Sequence, residues 1–218
     1  MAGKINELDE LLDDNVGMNF KYITRVIVFL TGIFVLALGA ATVIEANLGV
    51  ATWDVLHIGL SRLTNLSVGR WVQIVGVAMV LMTAFFEKKI PSIASAVNII
   101  LVGFFLNFIL DLKVLPSFTN LLSRSIMLII GVTTMGIGSG MYVASRIGSG
   151  PRDGMTLFIS QRFSISVRLS RTILEVLALT IGWIIGGPVS VGTFISVPLI
   201  GPVMQSSLKF WVKQLAKL

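Results

Sequence analysis

The sequence predicts an all-α, polytopic membrane protein with six transmembrane helices arranged as two inverted repeats of three helices. Apolar residues make up 55% of the 218 residues and charged residues only 13%, with a mean hydropathy of +0.91. Soluble domains carry about twice that share of charged residues. Several apolar segments are long enough to cross a bilayer of about 30 Å. The order of features along the chain also recurs at an offset of 99 residues.

The chain divides into a short polar segment and one membrane domain. Residues 1–20 contain five acidic side chains, and their apolar residues recur at helical spacing. We expect this acidic segment in the cytoplasm from the positive-inside rule, and its charge argues against tight binding to anionic lipid. Residues 21–218 are expected to form a single membrane domain.

Six apolar segments can each form a transmembrane helix at about 1.5 Å per residue. Two lysines and a proline in "EKKIP" separate the second segment from the third, and "GGPVS" forms a tight turn between the fifth and the sixth. Many of the glycines inside these segments are expected at close helix contacts. The predicted spans cover residues 22–44, 68–87, 92–111, 124–145, 167–186 and 190–211.

The basic residues predict the orientation in the membrane. If the N-terminus is cytoplasmic, 13 of the 17 basic residues lie on the cytoplasmic side, as the positive-inside rule requires. Both termini are then expected in the cytoplasm. The net charge of +6 thus reflects basic residues that set the topology and are attracted to the lipid bilayer, and no nucleic-acid partner is expected.

Two structural repeats are predicted, the first over residues 22–111 and the second over residues 124–211. Each repeat contains a long span, a glycine-containing loop with one acid, a short helix and two further spans. Because each repeat has an odd number of spans, the second repeat must insert upside down relative to the first. Inverted repeats of this kind are typical of secondary transporters.

The loops before the short helices carry the main candidate residues. Asp54 and Asp153 both fall in a first helical turn, beside the positive end of the helix dipole. Pro151 suits that turn of the second short helix, and Thr52 is a plausible N-cap of the first. If the helices are re-entrant, the two loops meet at a common centre. If they lie flat at the interface, the acids are only caps.

Polar residues inside the spans allow two interpretations each. Glu175 is costly in a bilayer, so it either serves function or pairs with Arg171 one turn earlier. Asn98 and Gln205 either line a path or form interhelical hydrogen bonds. Arg152 either contributes to an anion site or belongs to a positive-inside loop.

No catalytic or metal site is expected. The chain has no cysteine and one histidine, and it lacks the common phosphate-loop, nucleophile-elbow and zinc-protease motifs, so neither an enzyme activity nor a cofactor is predicted. The candidate substrate-binding residues are Asp54, Asp153, Glu175, Arg152, Trp53, Gly49, Gly148, Gly150, Asn98 and Gln205.

Three stretches resemble a family of bacterial integral membrane proteins. "NLGVATWDVLHIGL", "RIGSGPRDGMTLFIS" and "GGPVSVGTFISVPLIGPV" are similar to YczE/YitT/YyaS-type proteins, and the likeness extends from about residue 22 over nearly the whole chain. The family is largely uncharacterised, so the resemblance implies a multi-pass protein of the bacterial inner membrane but no substrate. The first loop has Ala51 and Thr52 where a proline is more typical of the family, so the resemblance does not imply equal roles for the two loops.

The leading functional hypothesis is an ATP-independent transporter or permease of a small solute. One alternative is a membrane scaffold or accessory protein that acts on a partner membrane protein, and another is the membrane subunit of an ATP-driven importer whose ATPase docks on the basic loop 146–171. A homo-oligomer is compatible with each of them. A cavity lined by both loops favours transport, whereas a dry seam between the loops favours the scaffold.

Overall fold

The computed structural model describes residues 20–88, 93–148 and 150–217, and within these ranges the chain forms eight α-helices and no β-strand. The predicted acidic segment 1–20 lies outside the described residues, apart from Phe20. In chain order the helices are α1 (Phe20–Ala46), α2 (Thr52–Leu63), α3 (Val68–Glu87), α4 (Ile93–Leu112), α5 (Leu121–Ala144), α6 (Pro151–Phe163), α7 (Val167–Ile184) and α8 (Val191–Ala216).

Five of the described helices are long and apolar enough to cross a membrane, namely α1, α3, α4, α5 and α8. They coincide with five of the six predicted spans. The remaining predicted span, over residues 167–186, coincides with α7, a helix of 18 residues that is not among these five. It is less apolar than the other five because it carries Arg168, Arg171 and Glu175. The described part of the chain is therefore all-helical, with several helices suited to a multi-pass membrane protein.

The centre of the molecule is the crossing of α1 and α5, where glycines bring the two backbones together. A Cβ atom on Gly39 would lie 2.4 Å from the backbone N of Met135 and 2.7 Å from the carbonyl O of Gly131. A Cβ atom on Gly138 would lie 2.7 Å from the carbonyl O of Gly32. The expected role of these glycines in close packing is thus confirmed. Helix α8 packs on the other side of α5, and α4 packs on α1.

The loop before α2 is anchored on the beginning of α8. Gly49 has a positive φ of 100°, which favours glycine, and a Cβ atom there would lie 2.8 Å from Oγ1 of Thr193. The backbone N–H of Gly192 donates to the carbonyl of Leu48 over 2.7 Å. Helix α8 then continues through Pro198 and Pro202 without interruption.

The helix caps agree with the sequence at α7 and differ at α2. Ser166 is the N-cap of α7, a residue type that N-caps prefer, and it accepts a hydrogen bond from the backbone N–H of Leu169. The prediction that Thr52 is the N-cap of α2 is wrong, because Ala51 occupies that position and Thr52 is the first helical residue. Its hydroxyl is free to reach another helix. At α3, Ser67 is the N-cap, but its side chain makes no capping bond.

Candidate functional site

The N-terminal turns of α2 and α6 meet at one cavity of about 140 Å³. Its lining also includes residues from α1, α3, α4, α5, α7 and α8, so the cavity lies where the two predicted repeats come together. It is smaller than the cavities of about 300–1,000 Å³ that hold drug-sized ligands, and its size suits a small solute. The residues supplied by the two short helices are Thr52, Trp53, Asp54, His57, Pro151, Arg152 and Asp153.

Besides Thr52, three polar side chains that line the cavity are buried. Asp54 is 5% exposed, His57 2% and Asn98 4%. Among the described residues, the buried side-chain atoms without a hydrogen-bond partner are Asp54 Oδ2, His57 Nδ1 and Asn98 Nδ2, and all three residues line the cavity. Buried polar atoms are normally paired, so this cluster is suited to a ligand that supplies the missing partners.

Asp54 and His57 are neighbours on one face of α2. His57 Nδ1 lies 3.8 Å from Asp54 Oδ1, which is too long for a direct hydrogen bond. Burial lowers the pKa of the His57 imidazole, and the adjacent Asp54 carboxylate only partly opposes that shift. His57 is therefore neutral at pH 7, and one of its ring nitrogens can accept a hydrogen bond.

The α6 side of the cavity is basic as well as acidic. Asp153 Oδ1 lies 3.9 Å from the Nη1 atom of Arg171, whose side chain is 50% exposed. The guanidinium carbon of Arg152 lies 5.0 Å from the ring centroid of Trp53, within the range of a cation–π contact. Positive charges on this side are thus already in contact with protein groups.

Glu175 on α7 faces the beginning of α2. Its carboxylate accepts a hydrogen bond from the Thr52 hydroxyl, across 123 positions of sequence. The structure does not contain the alternative ion pair between Glu175 and Arg171, because Arg171 lies beside Asp153. Glu175 therefore turns toward the cavity rather than toward the headgroup region.

The structure brings together most of the predicted site residues. Gly49 and Gly148 do not line the cavity; they let their loops approach Thr193 and Ala94 closely. Gln205 is exposed on α8 and lies away from the cavity. The predicted residues that line it are Asp54, Asp153, Glu175, Arg152, Trp53, Gly150 and Asn98.

Sequence reasoning missed Tyr142 as a site residue. It is buried at the end of α5 and lines the cavity, and a Cβ atom on Gly150 would lie 3.0 Å from its hydroxyl. Its equivalent in the first repeat, at the offset of 99, is Val43. The repeat therefore gives no signal for a polar group at this point.

Comparison with known proteins places the chain among uncharacterised bacterial proteins. The profile of a family of unknown function, DUF6198, matches residues 23–209. The uncharacterized membrane protein YczE of Bacillus subtilis is 31% identical over 192 residues, which cover 88% of this chain and 88% of the relative. An uncharacterized protein of Haemophilus influenzae is 31% identical over 178 residues, covering 82% and 80% of the two chains.

A third relative, the uncharacterized protein YyaS of Bacillus subtilis, is 29% identical over 174 residues, covering 79% of this chain and 87% of the relative. No solved structure matches the chain significantly. The relatives agree with the resemblance noted in the sequence, and their names assign no substrate.

Proposed function

Since the chain belongs to the DUF6198 family, whose function is unknown, we propose from its geometry that it is a transporter or permease of a small solute. The observation that carries the proposal is the cavity lined by the first turns of both short helices. A scaffold would need only a dry seam at this position. In the proposal the solute binds beside Asp54, Asp153 and Glu175 near the middle of the membrane.

The proposed architecture is six spans in two inverted repeats, and the pattern of helix contacts supports it. Each helix of one repeat corresponds to the helix four positions away in chain order. The contact of α1 with α4 then corresponds to that of α5 with α8, the contact of α2 with α7 to that of α6 with α3, and the contact of α2 with α3 to that of α6 with α7. All of these contacts are present. The crossing of α1 and α5 maps onto itself, as expected for helices related by a twofold axis.

Individual contacts support the same symmetry. Trp53 and Arg152 occupy equivalent positions at the offset of 99, and they contact each other. Equivalent residues that touch must lie on or near the axis that relates the repeats. The first turns of α2 and α6 therefore meet at that axis, where transporters built from inverted repeats bind their substrates.

Helix α7 is the proposed sixth span. Its 18 residues extend over about 27 Å at about 1.5 Å per residue. Glu175 and Arg171 line the cavity, and a charge at a cavity is tolerable in a span. Six spans put both termini on one side, and the positive-inside rule assigns that side to the cytoplasm of a bacterial cell.

Single-cysteine labelling tests alternating access without knowledge of the solute, because the native chain has no cysteine. Ala40→Cys and Ser139→Cys are equivalent positions on α1 and α5, and both line the cavity. A transporter predicts that a membrane-impermeant thiol reagent reaches each of them from both sides of the membrane. Gln205→Cys, outside the cavity and on an exposed face of α8, is the control and is expected to stay unlabelled in lipid.

Uptake into proteoliposomes tests transport itself. A panel of small amines, amino acids, carboxylates and sugars is offered to the wild type, to Glu175→Gln and to Asp153→Asn, with Gln205→Ala as the control. We expect one solute class to enter, and we expect the two acid variants to lower its uptake at least about tenfold, a barrier change of about 1.4 kcal/mol. No uptake of any class, together with unlabelled cavity cysteines, would overturn the proposal.

A further inference from the structure

The two aspartates at equivalent repeat positions have different surroundings. The side chain of Asp153 is 28% exposed and lies beside Arg171. The side chain of Asp54 is only 6% exposed, and no lysine or arginine in the described part of the chain forms an ion pair with it. Its Oδ2 atom also lacks a hydrogen-bond partner. Of these two aspartates, the buried one is thus the one without an ion pair to an arginine.

The ionisable groups that line the cavity carry one more negative charge than positive charges. The ionisable groups that line it from α2, α6 and α7 are three carboxylates and two guanidinium groups, together with the neutral imidazole of His57. Tyr142 from α5 and Asn98 from α4 add polar but uncharged groups. Arg171 is beside Asp153, and Arg152 lies over Trp53. Glu175 accepts a hydrogen bond from Thr52, so among the three carboxylates Asp54 is the one with a buried oxygen that has no partner.

The unpaired atoms at this point favour a ligand that donates hydrogen bonds. Asp54 Oδ2 is an acceptor, and Nδ1 of neutral His57 can be a second one. An anion would be drawn to the helix N-termini, but the first turns of α2 and α6 already contain carboxylates. A buried carboxylate without a partner is stable only when a cation or a proton accompanies it.

We propose that the cavity binds a small solute through a primary ammonium group, which donates to Asp54 Oδ2 and His57 Nδ1. This inference rests on the proposed function and names the class of its solute. Asn98 Nδ2, the third unpaired atom, then donates to an acceptor elsewhere on the same solute. The cavity of about 140 Å³ limits that solute to a small amine.

Ligand-induced thermal stabilisation tests the inference on the full chain in detergent. The probe is methylammonium chloride, and tetramethylammonium chloride, which has no N–H donor, is the matched salt. For the wild type we expect methylammonium to raise Tm by about 3–6 °C at ten times its Kd. We expect no such rise in Asp54→Asn. Asp111→Asn, which changes an exposed acid on α4 away from this cavity, is expected to keep it.

Several outcomes would overturn the inference. They are no shift in the wild type, an equal shift with tetramethylammonium, or a shift that persists in Asp54→Asn. If Asp54→Asn does not fold, protection of Ala40→Cys from thiol labelling by methylammonium, and not by tetramethylammonium, provides the decisive measurement.

Uptake measurements separate this inference from the proposed function. Binding of methylammonium without uptake in proteoliposomes would overturn transport and leave the ammonium site intact. Uptake of a carboxylate or sugar, without any effect of methylammonium, would overturn the ammonium site and leave transport intact.

Discussion

Thr52 and Glu175 join the beginning of α2 to the middle of α7 through a single hydrogen bond. Thr52 is buried, so its hydroxyl needs a partner within the protein, and the Glu175 carboxylate is the acceptor. A bond between a hydroxyl and a carboxylate is stronger than one between neutral groups. This pair therefore fixes the position of a short helix that is too short to be held by its own propensity.

Replacing Thr52 should destabilise the protein. Thr52→Val keeps the shape but removes the donor, and we expect the loss of about 1–2 kcal/mol, seen as a Tm lower by about 2–8 °C in detergent. Thr52→Ser should retain most of the stability. The matched control is Thr172→Val on α7, where the hydroxyl is exposed and bonds only within its own helix. Equal losses in Thr52→Val and Thr172→Val would contradict the role given to this bond.

The identity of most site residues could be predicted, but their partners could not. Asp54, Asp153 and Glu175 stand out in the sequence because a charge near an apolar segment is costly. Which of them meets an arginine depends on the rotation of each helix about its axis, and the repeat offset predicts equal surroundings for Asp54 and Asp153. The structure gives them unequal surroundings. Gln205 lies on the wrong face of α8 for the same reason.

At the scale of the helices, the crossing of α1 and α5 depends on glycines, which have no side chain to hold the two backbones apart. Gly39→Ala would place a Cβ atom 2.4 Å from the backbone N of Met135, where no rotamer change can relieve the contact. We expect a loss of about 1–3 kcal/mol from overpacking. Gly138→Ala, the equivalent position on the partner side of the crossing, should lose a similar amount, because its Cβ atom would lie 2.3 Å from the backbone N of Leu36.

Gly154→Ala on α6 is the control for this prediction. No atom lies within 4 Å of a Cβ atom at this position, so the helix should gain about 0.5–1 kcal/mol from the better propensity of alanine. Thermal unfolding of the three variants, followed by circular dichroism, measures the difference. A Gly39→Ala protein as stable as Gly154→Ala would show that the two backbones can separate without cost.

The helices themselves were largely predictable, because apolar length and helix-start signals are local. Both short helices, α2 and α6, lie where glycine loops and first-turn acids predicted them. The cap of α2 was not predictable, because the Thr52 hydroxyl bonds to a residue far away in sequence rather than to its own helix. Local rules assign such a side chain to the nearest backbone donor. A distant acceptor overrides them.

For the whole molecule, the two halves differ where glycines are replaced. Helices α3 and α4 cross closely, and a Cβ atom on Gly69 would lie 2.1 Å from the carbonyl O of Gly103. The equivalent positions in the second half are Arg168 and Pro202, whose side chains prevent such an approach. Helices α7 and α8 accordingly pack less closely than α3 and α4. Comparing Gly69 with Arg168 and Gly103 with Pro202 therefore predicts the looser packing of α7 on α8 from the sequence.

The proposed topology makes a prediction that concerns the entire chain. If α7 crosses the membrane, the connection before it and the turn after it lie on opposite sides. Ser164→Cys should then be labelled by an impermeant maleimide only from the cytoplasmic side, and Pro188→Cys only from outside. Ser117→Cys, in the exposed connection between α4 and α5, is the reference for the outer side. Because the native chain has no cysteine, each signal comes from one position. Labelling of Ser164→Cys and Pro188→Cys from the same side would mean that α7 does not span, and the inverted repeat, with the transport function built on it, would be wrong.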